Sequence, residues 1–352
     1  MHWFRRSQLE PLEHRLCLTV IVEVDAGDLR ITGDADGPVV IAAVGEQTYQ
    51  VSDGGVVVGS FDGVDDDIRI LLEDANEGTN DSVLIDLGDQ TVDRIHANLG
   101  DGTNELTLIG GSATGGLHYH GGDGSDTVNL DTSLDRHASL WLGDGDNNVS
   151  VVGAVGGLSV YARDGNDSVQ IAADTTVDGS VRLKLGDGDN TITHEGMIDG
   201  SLRVHGGGGT DSISLTDGAT VGRQLKVGLG NGLNQLDMAG QLDGSLGYYG
   251  GDGDDTVSLA ETSHVAGNVR VKMGDGVNSL SQSGSVARDL NVTSLNADDV
   301  VEVNESLIGG VYENTVGDQG DGFVNRFRDA IRNFGRRFFG GFGGGRFRSW
   351  FR

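Results

Sequence analysis

Eleven Asp or Asn residues recur through the middle of this chain, each closing a Gly-rich turn: Asp81, Asn104, Asp126, Asn147, Asp167, Asn190, Asp211, Asn234, Asp255, Asn278 and Asp299. Neighbouring anchors lie 20 to 23 residues apart, and Asp and Asn alternate without exception. From Asp167 onward the two-turn period is a steady 44 residues. A fixed period of this length is the signature of a stacked repeat. The turns follow Gly-Asp-Gly-x-Asp/Asn, as in Gly122-Asp123-Gly124-Ser125-Asp126 and Gly186-Asp187-Gly188-Asp189-Asn190.

Strand patterns flank every anchor. Two and four residues after it come pairs such as Val128/Leu130, Val169/Ile171 and Val257/Leu259. Seven and nine before it come Leu117/Tyr119, Val181/Leu183 and Val269/Val271. Alternation at period two marks strands with one buried face. A second turn separates the strands of successive anchors, as at Ile198-Asp199-Gly200-Ser201. No single coil of this length buries its own apolar face, so coils must stack. The expected fold is all-β: a parallel β-helix, or β-solenoid, of about 22-residue coils, with a C-terminal amphipathic helix. Coils ~4.8 Å apart would make a rod of about 50 Å. An antiparallel sandwich of hairpins is the competing fold, but it requires no constant period.

Three segments follow. Residues 1–19 form an N-terminal targeting-like segment, 20–317 the solenoid with regular coils over 81–303, and 318–352 a basic Phe/Arg-rich tail. Residues 20–80 read as irregular leading coils, with Gly27-Asp28-Leu29-Arg30-Ile31 a degenerate repeat.

Charge sets the partners. The chain carries a net charge of −30, while residues 323–352 hold eight Arg against the single acid Asp329. So acidic a body repels phosphates, which argues against nucleic acid. Cys17 is the only cysteine, so no intrachain disulfide forms. No apolar run approaches the ~20 residues of a membrane helix.

Residues 121–129, Gly-Gly-Asp-Gly-Ser-Asp-Thr-Val-Asn, resemble the nonapeptide of the RTX haemolysin-type calcium-binding repeats, and 206–214 and 250–258 fit as fully. That resemblance implies calcium as a cofactor, held by Asp123, Asp126, Asp164, Asp167, Asp252 and Asp255 together with carbonyls. Here the nonapeptide occurs once per coil rather than in tandem, and every second anchor is Asn. The other reading of the same residues is a ladder of Asp and Asn side chains capping backbone N–H groups.

With the inward positions set, the outward ones follow. Six before the anchor stand His120, Trp141, Tyr161, Lys184, His205, Gly228, Tyr249 and Lys272. Eight before it stand His96, His118, Ser139, Ser159, Arg182, Arg203, Lys226, Gly247 and Arg270. One face of an acidic rod is thus aromatic and basic. Rings at coil spacing stack on sugars, and Arg or Lys holds carboxylates or sulfates, so His120, Trp141, Tyr161, Lys184, His205, Tyr249 and Lys272 are the candidate ligand-binding residues. Long side chains that merely cover a sheet would look the same.

At the N-terminus, Leu9-Glu10-Pro11-Leu12-Glu13-His14-Arg15-Leu16-Cys17-Leu18-Thr19 resembles the LEPR-XLL motif of large planctomycete exported proteins, with His14 where that motif has Pro. The resemblance implies an extracellular or cell-surface location. In the tail, Phe323, Phe327, Ile331, Phe334 and Phe338 recur at helical spacing with Arg326, Arg328, Arg332, Arg336 and Arg337 between them. Phe327, Ile331, Phe334, Arg332 and Arg336 would therefore cap the last coil, attach to an anionic membrane surface, or act as a sorting signal.

The expected function is a non-catalytic extracellular or surface solenoid, structural, adhesive or glycan-binding, with calcium as a candidate stabilising ion. Its expected partner is an acidic polysaccharide or another cell-surface component. The alternative is a pectate-lyase-like enzyme that cleaves polysaccharide. No catalytic constellation such as Ser/His/Asp or HExxH stands in the sequence.

Overall fold

A computed structural model describes residues 20–72 and 80–316. The targeting-like segment, and the tail with Phe327, Ile331, Phe334, Arg332 and Arg336, lie outside the described residues. The chain is a parallel β-solenoid of about 11 turns, with coils of about 22 residues.

One coil shows the plan. Ser168–Ile171, Thr176–Val177 and Val181–Gly186 are three successive strands. Each pairs in parallel with its counterpart in the next coil: Val169 with Ile192, Val177 with Ile198, and Leu183 with Val204. The coil is therefore three-sided. The sequence pattern predicts two strands per coil, and the short third strand is a correction to it. What reads as a second turn, Ile198-Asp199-Gly200-Ser201, begins inside that third strand, Met197–Ile198. Its apolar residue alone faces inward, as Val177, Ile198, Val221, Leu242, Val265 and Val286 do. A two-residue strand is too short to show alternation.

The 44-residue period also has a structural cause. From Asp167 onward the link after an Asp anchor is two residues longer than the link after an Asn anchor, as a comparison of Ala172–Thr175 with Glu195–Gly196 shows. The longer link closes on itself through Thr175 N–H to Ala172 O at 3.0 Å. Its carbonyls then press on the next coil, where a Cβ at Gly196 would collide with Thr175 O and Ala172 O. Gly240 and Gly284 meet the equivalent carbonyls. Long and short links thus alternate, and the repeating unit is two coils.

The core is a set of stacked aliphatic columns. Leu158, Val181, Leu202, Leu225, Leu246, Val269 and Leu290 are buried one above another. Burying each such side chain contributes about 1.5–3 kcal/mol.

The first coils depart from expectation. β1 (Ile21–Asp25) pairs antiparallel with β2 (Asp28–Gly33). β3 (Val39–Gly45), β4 (Thr48–Asp53) and β5 (Val56–Asp62) form an antiparallel meander. Stacking resumes when β6 (Ile68–Leu72) pairs with β2 and β7 (Ser82–Asp86) pairs with β3, both in parallel. The degenerate repeat at Gly27–Ile31 is therefore a hairpin turn leading into a true coil strand. At this end β2 is covered by β1 and β3 by β4, while the outer strands β1 and β5 each pair on one side only.

Candidate functional site

Two surfaces carry the chemistry: the Asp/Asn turn and the aromatic and basic sheet.

At the turn, the backbone N–H of every anchor from Asp81 to Asn278 donates to the side-chain Oδ1 of the anchor in the next coil. The bonds run from Asp81 to Asn104 (3.0 Å), Asn104 to Asp126 (3.1 Å), Asp126 to Asn147 (2.9 Å), Asn147 to Asp167 (3.1 Å) and Asp167 to Asn190 (3.0 Å). They continue through Asp211, Asn234, Asp255 and Asn278 to Asp299. A second column, one residue before the anchor, runs with opposite polarity. Asp146 accepts from Asn166 N–H at 2.7 Å, Asn166 from Asp189 at 2.8 Å, and Asp189 from Thr210 at 2.6 Å. These side chains satisfy the N–H groups of a turn too tight to satisfy them itself.

The alternation has a physical basis. Asn carries donors that Asp lacks: Asn147 and Asn190 donate through Nδ2 to Asp167 Oδ1 and Asp211 Oδ1, both at 2.8 Å. Asn104 and Asn234 donate to Gly100 O and Gly230 O. The room beside the anchor alternates as well. Five residues before each Asn anchor stands a buried Leu99, Leu142, Leu185, Leu229 or Met273. Before Asp126, Asp211 and Asp255 that position is Gly121, Gly206 or Gly250, where a Cβ would collide with the anchor's Oδ2. Oδ2 of Asp126, Asp167, Asp211 and Asp255 is buried and makes no hydrogen bond of ordinary geometry. Tyr119 and Tyr248 turn their hydroxyls toward Asp126 and Asp255. Burial pushes Asp126 up to about 7 and Asp167 and Asp211 up to about 6, and it raises Asp255 as well.

Of the candidate calcium ligands, Asp126, Asp167 and Asp255 are thus buried ladder members, while Asp123, Asp164 and Asp252 are exposed at the turn. Asp123 forms an exposed ion pair with Arg163 at 3.8 Å. Among the described residues, the one group of three carboxylates within mutual reach is Asp28, Asp66 and Asp67, which the sequence pattern did not single out. Arg69 already bridges Asp28 (3.1 Å) and Asp67 (2.6 Å), and Arg30 holds Asp28 at 3.3 Å. Asp28 and Asp67 are thus tied into an ion-pair network in the first coils, with Asp66 exposed beside them.

The sheet formed by the strands that precede the anchors carries the second surface. His96, His118, Trp141 and Tyr161 stack in one file along the rod. Ring centroids are 5.2, 6.2 and 5.8 Å apart, and the planes lie within 7°, 11° and 13° of parallel. His118 is paired in register with Ser139, and Trp141 with His120. Trp141 therefore leans across from its own column to reach His118. Column reading alone places Trp141 with His120; the small Ser139 opens the way for the diagonal contact. His120 is exposed beside this file.

Beyond Tyr161 the face becomes cationic. Arg182, Arg203 and Lys226 are in register on neighbouring strands, and Lys184 is in register with His205. Like charges directly opposite one another across a sheet are destabilising. None of Arg182, Lys184, Arg203, Lys226, Arg270 and Lys272 makes an ion pair among the described residues; off this face Arg136, Arg223 and Arg288 make none either, while Arg30, Arg69, Arg94 and Arg163 each have a carboxylate partner. Lys226 and Lys272 lie 5.6 and 5.8 Å from the centroid of Tyr249. His205 titrates below its ordinary range through burial first and then through the cations Lys226, Arg182, Lys184 and Arg203. All seven predicted ligand-binding residues fall on this face.

No protein-family model matches the chain, and no curated protein or solved structure is similar to it.

Proposed function

We propose that this chain is a non-catalytic extracellular scaffold whose aromatic and basic face binds acidic polysaccharide. One observation carries the reading: a chain of net charge −30 keeps six cations together on one sheet with no carboxylate partner among the described residues. Holding like charges in register costs stability, and the solenoid could relieve it with any of its many Asp residues. A polyanion laid along the rod relieves it from outside. The file of His118, Trp141 and Tyr161 supplies ring surface on the same sheet for the less charged faces of sugar rings.

The test is a glycan array probed with the full chain, with and without calcium. Binding to uronate- or sulfate-bearing glycans that falls at least tenfold in a Trp141→Ala/Tyr161→Ala/Tyr249→Ala variant supports the proposal. Binding confined to neutral glycans, or unchanged in the variant, overturns it. Polysaccharide-cleaving activity would be seen in the same preparation as shortening of the bound chains.

A further inference from the structure

The cationic half of the face is not uniform. Gly247 is in register with Lys226 on one side and Arg270 on the other. In the preceding coils the same column holds Arg182 and Arg203, so only here does the run of cations break at a residue without a side chain. Lys226 and Arg270 therefore face each other across a gap of two strand spacings, ~9.6 Å between backbones.

The gap is a half-open surface cavity of about 300 Å³. Tyr249 forms one wall: a Cβ at Gly247 would lie 3.4 Å from its ring Cε2 and 3.8 Å from its hydroxyl. The opposite wall is polar, made by Gln224, Ser245 and Asn268, with Asn291 at the end. Within that wall, Ser245 Oγ accepts Asn268 N–H at 3.1 Å, and Asn268 Oδ1 accepts Asp289 N–H at 3.3 Å. The Asn268 oxygen is thus committed to the turn, and its Nδ2–H donors remain for a ligand. Two cations, a phenol and a row of amides around one cavity suit a small polyhydroxylated anion: the charges take the acid group and the amides take hydroxyls.

We propose that this cavity is a discrete subsite for one acidic sugar unit, its carboxylate or sulfate held between Lys226 and Arg270 and its ring set against Tyr249. The proposal rests on the polysaccharide-binding reading and names where one unit is recognised. It also assigns Gly247 a role as the residue whose missing side chain makes the subsite.

The experiment is calorimetric titration of the full chain with three disaccharides, one uronate-bearing, one sulfated and one neutral. Each is too short to span the face. Gly247→Leu fills the cavity, and its backbone needs no left-handed conformation, so the thermal melt should hold. Arg182→Ala/Lys184→Ala removes cations elsewhere on the sheet. The subsite predicts binding of an acidic disaccharide, a loss of at least tenfold in Gly247→Leu and in Lys226→Ala, and less than a twofold change in Arg182→Ala/Lys184→Ala. Preference between the uronate and the sulfated ligand identifies the acid group. Equal weakening in all variants, or full affinity in a folded Gly247→Leu, overturns the subsite and leaves the extended face standing. A wild-type chain that binds long acidic polysaccharide but no acidic disaccharide also overturns it. Failure to bind any acidic glycan, long or short, overturns both.

Discussion

Asp211 Oδ1 accepts two hydrogen bonds from one residue: the backbone N–H of Asn190 at 3.1 Å and its side-chain Nδ2 at 2.8 Å. The pair is a clamp between coils, and it works only with Asn on the donor side. Asn190→Asp would remove the side-chain donor and place a third buried carboxylate between Asp167 and Asp211. An uncompensated buried charge costs about 3–5 kcal/mol. The expected result is a loss of that size in urea denaturation at pH 7.5 and a clearly smaller loss at pH 5, where the new acid is neutral. Equal losses at both pH values would contradict the clamp.

The ladder also sets the sign of the pH dependence. Burial pushes Asp126 up to about 7 and Asp167 and Asp211 up to about 6, from an ordinary 3.8. The folded chain therefore holds these protons more tightly than the unfolded chain does. Their contribution to stability is full below about pH 4 and is lost as pH rises through 6 to 7. The denaturation midpoint should fall between pH 5 and pH 7.5, and Asp126→Asn should flatten that slope. A midpoint that rises across the window would contradict the burial of these groups.

Calcium bears on the same residues. From Asn104 to Asp299 each anchor's Oδ1 is already committed to a backbone N–H, and the anchors of like kind are two coils apart, ~9.6 Å. The ladder account expects melting temperatures in calcium and in EGTA to agree within about 2 °C. An increase of 5 °C or more with calcium, together with loss of the pH slope, would show that the ion rather than the ladder holds the turns.

Linker alternation is tested at Gly196. Its Cβ would meet the carbonyls of the longer link in the coil before it. Gly196→Ala should destabilise the rod by about 1–3 kcal/mol through overpacking. The same change at Gly218, where nothing lies within 4 Å but φ is +93°, should cost only the backbone strain of about 1 kcal/mol. Denaturation of the two variants side by side separates the effects.

Much of this was legible in sequence because one residue type per coil served as a ruler. Once the anchors were aligned, inward residues such as Val181 and Leu183 and outward ones such as Arg182 and Lys184 followed from period-two alternation. The short third strand was hidden because two residues, such as Thr176–Val177, cannot display a period. The antiparallel hairpins of the first coils were hidden because their strands alternate just as coil strands do, and direction leaves no mark on the pattern. The His118–Trp141 contact was hidden because it crosses columns and depends on the small Ser139. The alternation of Gly206 with Leu185 or Leu229 beside the anchors was visible in sequence; its meaning required seeing where Oδ2 points.

The proposed function turns on recruitment of a polyanion by six cations that lack carboxylate partners on one sheet. Its most direct test is the salt dependence of polygalacturonate binding by the full chain and by an Arg182→Ala/Arg203→Ala/Lys226→Ala variant. Affinity should fall steeply as salt rises from 50 to 300 mM, and the variant should bind at least tenfold more weakly with a shallower salt slope. Affinity that is flat in salt, or a variant that binds as the native chain does with the same slope, would contradict it.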